Sequence, residues 1–80
     1  MVKVRLKTDA LQLRLARQNK SQNWLARKME MSSGYLSQLT TGVRRPSPKM
    51  RTRFLRVFRD ASFDDLFYIE PEPDALRPLP

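Results

Sequence analysis

Apolar residues recur along this chain at helical spacing, and capping or turn residues interrupt them at intervals. Leu11 and Leu15 stand one helical turn apart, with Ala16 or Gln18 completing the stripe. Thr8 or Asp9 is placed to cap that first helix, Asp9 also suiting its positive end, and Asn19 is a left-handed terminator. Leu13 falls off the stripe, so it is either half exposed or in contact with the N-terminal segment. Leu25, Ala26 and Met29 mark a second helix with Ser21 as N-cap. Met31-Ser32-Ser33 breaks that pattern, with Ser32 placed as the N-cap of a third helix. Leu36 and Leu39 form its apolar side, it runs to about Thr41, and Gly42 ends it.

Ser47-Pro48 starts a fourth helix that reaches about Arg59, with Met50, Phe54, Leu55 and Phe58 inward. An S-x-x-D pattern at Ser62–Asp65 opens a short last helix, and Phe63, Leu66 and Phe67 close the core. The expected fold is therefore all-α, a compact bundle of about five short helices over residues 8–69. Residues 1–7 alternate Val2, Val4 and Leu6 with Lys3, Arg5 and Lys7, the pattern of an extended basic arm or of a frayed terminus. Residues 70–80 hold four of the six prolines, which predicts a disordered acidic tail.

Charge changes the picture. Residues 1–59 hold 15 Lys/Arg against 2 acids, a balance of +13, whereas residues 60–80 hold 1 against 6, a balance of −5. A folded part this basic favours a polyanionic partner. With 80 residues there is room for one modest core. Cysteine and histidine are both absent, which removes disulfides, thiolate sites and the commonest metal ligand and general base. No cofactor or metal is expected, nor an enzyme: the acids lie mostly in the tail and no Gly-rich phosphate loop exists. No apolar run approaches the roughly 20 residues that span a bilayer. The expected location is cytoplasmic.

The outer side of the third helix carries Ser33, Gly34, Ser37, Gln38 and Thr41, small or hydrogen-bonding and none acidic. Such a face suits a groove lined by base edges. The stretch Gln22–Thr41 here resembles the helix-turn-helix of the phage-repressor and Cro-like (XRE-type, lambda-repressor-like) regulator family. Gln22, Leu25-Ala26, Met29, Met31, Leu36 and Leu39 stand in that family's register. Ala26 has a physical reason to be small, because the two helices cross nearest to it. Glu30 departs from the pattern, occupying a turn position where the family usually has Gly. If its backbone is left-handed, Glu30 costs roughly 1 kcal/mol relative to Gly.

The resemblance implies sequence-specific binding of double-stranded DNA, as a transcriptional regulator reading the major groove. By position it implies base reading by Ser33, Gly34 and Gln38, with Ser37 beside them. Gln38 is the candidate for a bidentate pair with adenine, and Gly34 for close approach. Gln22, at a helix N-terminus, is expected on a phosphate, as are Arg44 and Arg45 in the basic loop and Lys49 at the start of the fourth helix. Tyr35 either bonds a phosphate through its hydroxyl or packs over the turn. Trp24 either packs on the first helix or lies at the phosphate side. A homodimer on two-fold-related half-sites follows from the small DNA contact of one unit, with Phe63, Phe67, Tyr68 and Ile69 as candidate interface. The alternative function is that of an antitoxin-like module, which binds a protein partner through the C-terminal tail and DNA only for autoregulation.

Overall fold

The computed structural model describes residues 3–70. A strand β1 (Lys3–Leu6) leads into helices α1 (Thr8–Arg17), α2 (Gln22–Lys28), α3 (Ser33–Thr40), α4 (Pro48–Val57) and α5 (Phe63–Leu66), and a strand β2 (Phe67–Glu70) closes the order. The all-α expectation is corrected by the two strands. They pair antiparallel, with Val4 opposite Ile69 and Leu6 opposite Phe67, and the Lys7 N–H extends the ladder to the Leu66 carbonyl at 2.6 Å. The physical reason is that Phe67-Tyr68-Ile69 is aromatic and β-branched, a poor helix continuation but a good pleated surface. Each strand satisfies backbone groups that the other would otherwise leave open. Alternation in β1 was visible in the sequence, but its partner lies some sixty residues away, at a place read as helix and tail.

The sheet also absorbs residues expected elsewhere. Glu70, counted with the acidic tail, is the last residue of β2, and its carboxylate accepts a hydrogen bond from Arg5 Nε at 2.8 Å. Met1 and Val2 of the expected arm, and the remainder of the tail (71–80), lie outside the described residues. Phe67, taken as a candidate interface residue, is instead fully buried in the chain's own core. It lies edge-on to Phe54 with centroids 5.9 Å apart and against Phe63 at 5.2 Å.

Every element contributes to one core: Leu6, Leu11, Leu15, Leu25, Ala26, Met29, Leu36, Leu39, Phe54, Phe58, Leu66 and Phe67. Ala16 and Gln18 are exposed, so the stripe of α1 is narrower than expected and consists of Leu11 and Leu15. Met50 and Leu55 are only half-buried. Arg14 is half-buried and bridges Asp60 at 3.0 Å and Asp65 at 3.6 Å. Lys20 is exposed and lays its ammonium over the half-buried Trp24 ring, 5.2 Å from the centroid.

Local punctuation follows the side chains. Ser21, Ser32 and Ser47 each accept a hydrogen bond from the backbone N–H three residues on, at Trp24, Tyr35 and Met50. Asn19 and Glu30 both take φ 55°, and Gly42 takes φ 83°. After Asn19 and Glu30 the next N–H returns to a carbonyl five residues back, Lys20 to Leu15 and Met31 to Ala26. That bond is the outer closure of a left-handed helix end. One expected cap is absent. Neither Thr8 nor Asp9 caps α1; the Thr8 hydroxyl donates to the Thr40 carbonyl at 2.8 Å, joining the start of α1 to the end of α3.

Candidate nucleic-acid interface

α3 is held by its two buried leucines, Leu36 and Leu39, at 0% and 1% exposure. The same spacing turns Ser33, Gly34, Ser37, Gln38 and Thr41 to solvent, and all five are exposed. No acidic residue stands on that surface of α3. The Thr40 and Thr41 hydroxyls both donate back to the Ser37 carbonyl, at 3.0 and 2.9 Å. Gly34 is informative through what surrounds it: a Cβ built there would meet nothing within 4 Å. Glycine inside a helix costs about 0.5–1 kcal/mol relative to alanine. Nothing in this chain requires that cost.

The residues around α3 are more tightly organised than their spacing suggested. After Gly42 the backbone turns back, so that the Arg44 N–H donates to the main-chain carbonyl of Gln38 at 3.0 Å. Arg44 Nε then donates to Gln38 Oε1. The guanidinium lies 5.1 Å from the centroid of the Tyr35 ring, which is itself half-buried against the core. Tyr35 thus carries the guanidinium of Arg44 over its ring, and Arg44 is bound to α3 instead of standing free in the loop. Arg45 and Lys49 are exposed, and among the described residues neither enters an ion pair.

Gln22, at the first position of α2, is half-buried, and its Oε1 accepts from Gln12 Nε2 at 3.2 Å. An amide whose oxygen is so engaged turns its NH₂ outward as a donor. Arg5, paired with Glu70, also donates from Nη1 to the Gly42 carbonyl at 3.3 Å, which seats β1 beside the end of α3. Arg53 Nη1 donates to the Met29 carbonyl at 3.0 Å and so braces the turn between α2 and α3 from α4.

Charge is segregated in space as well as in sequence. Among the described residues the ion pairs involve Arg5 and Arg14, which take up Glu70, Asp60 and Asp65. The acids of the C-terminal third therefore neutralise cations of β1 and α1. The cations of the loop after α3 and of the start of α4 are left uncompensated by carboxylates in this set. An anionic surface approaching α3 would meet the guanidinium of Arg44, which is held against that helix.

Of the residues proposed from sequence, Ser33, Gly34, Ser37 and Gln38 share one exposed face, and Tyr35 and Arg44 join Gln38 in one cluster. Gln22 belongs to the neighbouring helix. Of the candidate interface, Phe63 packs on Phe67, and Tyr68 and Ile69 are exposed at 46% and 54%. Sequence reasoning missed Gln12, Arg53 and the tie between Arg44 and Gln38, because each contact joins residues on different elements or across a helix end. No helix among the described residues is long and apolar enough to cross a membrane. Comparison with protein-family models, with curated proteins and with solved structures finds no match to this chain.

Proposed function

We propose that this chain binds double-stranded DNA in a sequence-dependent way, with α3 laid in the major groove, and that it acts in the cytoplasm as a transcriptional regulator. The observation that carries the reading is the outer face of α3: five exposed, uncharged residues, one of them a glycine that nothing in the chain requires, with Arg44 bound to its edge and the exposed cations Arg45 and Lys49 following in the chain. A helix that serves only its own core has no reason to keep that glycine. Cations at the edge and hydrogen-bonding groups in the middle are what separate contacts to phosphates and bases demand. The resemblance of Gln22–Thr41 to the phage-repressor and Cro-like pattern adds weight. It also suggests two copies on two-fold-related half-sites, with the exposed Tyr68 and Ile69 as the surface available for self-association.

Gln38 and its neighbours read bases in this scheme, while Gln22, Arg45 and Lys49 hold the backbone. The test is selection of bound duplexes from a random pool, comparing the wild type with Gln38→Ala and Arg45→Ala. Gln38→Ala relaxes preference at one base pair by about 1–3 kcal/mol. Arg45→Ala weakens all sequences alike and flattens the dependence of log K on log salt by about one unit. A wild-type chain that enriches no sequence and binds duplex no better than a neutral protein at low salt would end the proposal.

A further inference from the structure

We propose that Arg44 sets base specificity by fixing the amide of Gln38, so that the pair offers donors in preference to an acceptor and favours guanine over adenine. The inference rests on the placing of α3 in the major groove. Arg44 is attached to α3 at three points: its N–H to the Gln38 main-chain carbonyl, its Nε–H to Gln38 Oε1, and its guanidinium over the Tyr35 ring, 5.1 Å from the centroid. Nε–H of arginine is a donor and never an acceptor, so the amide atom that meets it is the oxygen. The amide nitrogen is thereby turned away from Arg44, with its N–H groups available. The Nη groups of Arg44 make no hydrogen bond with the described residues and so keep their N–H donors.

A lone glutamine pairs with adenine by accepting from N6–H and donating to N7. Here the accepting atom is already engaged by a cation. Its second lone pair remains, but a donor brought there would stand beside the guanidinium and be repelled by it, which disfavours adenine. Guanine presents N7 and O6 on the same edge, both acceptors, and these match the amide N–H of Gln38 and a guanidinium N–H of Arg44. The cation–π contact with Tyr35 matters because it helps hold the guanidinium before DNA arrives, so less rotamer freedom is lost on binding. Six positions and a helix end separate Arg44 from Gln38, and the left-handed Gly42 is what brings them together.

The full chain and an Arg44→Met variant, which keeps an unbranched apolar stem without the guanidinium, are each put through selection from a duplex pool with a randomised central stretch. Gln38→Ala identifies the base pair that Gln38 reads. At that pair the wild type is expected to enrich guanine over adenine by roughly tenfold to a hundredfold. Arg44→Met is expected to shift the same pair to adenine, with the preferences at other pairs kept. Both substituted residues are exposed, so equal thermal melting of the variants serves as the folding control. Adenine at that pair in the wild type, or guanine retained by Arg44→Met, overturns the assignment while leaving DNA binding intact. Enrichment of no sequence at all overturns it together with the function on which it rests.

Discussion

α3 and the β1–β2 sheet are of similar size, yet they serve the molecule in opposite ways. α3 buries two leucines and leaves a whole side of the helix idle as far as the fold is concerned. The sheet works in reverse. Leu6 and Phe67 close the bottom of the core, Lys7 extends the ladder to Leu66, and Arg5 ties Glu70 and the Gly42 carbonyl together. One element is the candidate reader and the other is its clamp. The difference teaches that the residues holding the core and those exposed on α3 are separate sets, as a division of stability from the proposed recognition would require.

That separation is open to direct attack, and the largest effect is expected in the clamp. Phe67→Ala removes a fully buried ring that contacts Phe54 and Phe63, and is expected to cost about 3–5 kcal/mol of unfolding free energy in a denaturant titration. Whatever fraction remains folded should retain the wild-type base preference; a changed preference would mean that clamp and reader are coupled. The mirror experiment is Gly34→Ala on the reader. Open space around that position predicts a gain of no more than about 0.5 kcal/mol in stability, since Gly34 lies in the first turn of α3, together with weaker duplex binding because the added methyl stands where a groove would approach. A variant that is both more stable and an equally good binder would show that the outer side of α3 is not the contact surface.

The smallest effect concerns pH and the segment feeding the clamp. Asp65 accepts hydrogen bonds from the Ser62 N–H at 2.8 Å and the Ser62 hydroxyl at 3.1 Å, with Arg14 nearby, and these hold its carboxyl below the usual 3.8. A carboxylate favoured in the folded state contributes fully above the unfolded value of 3.8. Its contribution is lost as the pH falls from there through the lower folded value. Thermal melting of Asp65→Asn should therefore lose part of the wild type's acid-limb slope and match the wild type's base preference at neutral pH. An unchanged acid limb would remove Asp65 from the account.

What the chain dictated locally is legible residue by residue. Three serines cap three helices because a short hydroxyl reaches the N–H three residues on. Asn19 and Gly42 close helices in the left-handed region, as their residue types favour, and Glu30 does so too although its residue type does not. The exposed side of α3 follows from where Leu36 and Leu39 stand. These are interactions within one or two helical turns, where the chain cannot avoid bringing the partners together. Tertiary structure alone decided the rest. Val4 and Leu6 alternate in sequence, but a strand is an incomplete object until its partner arrives, and Phe67–Glu70 becomes a strand by meeting β1. Thr8 leaves the cap of α1 for the end of α3, and Arg44 leaves the loop for Gln38. In each case two satisfactory local states differ little in energy, and a contact between distant elements selects one.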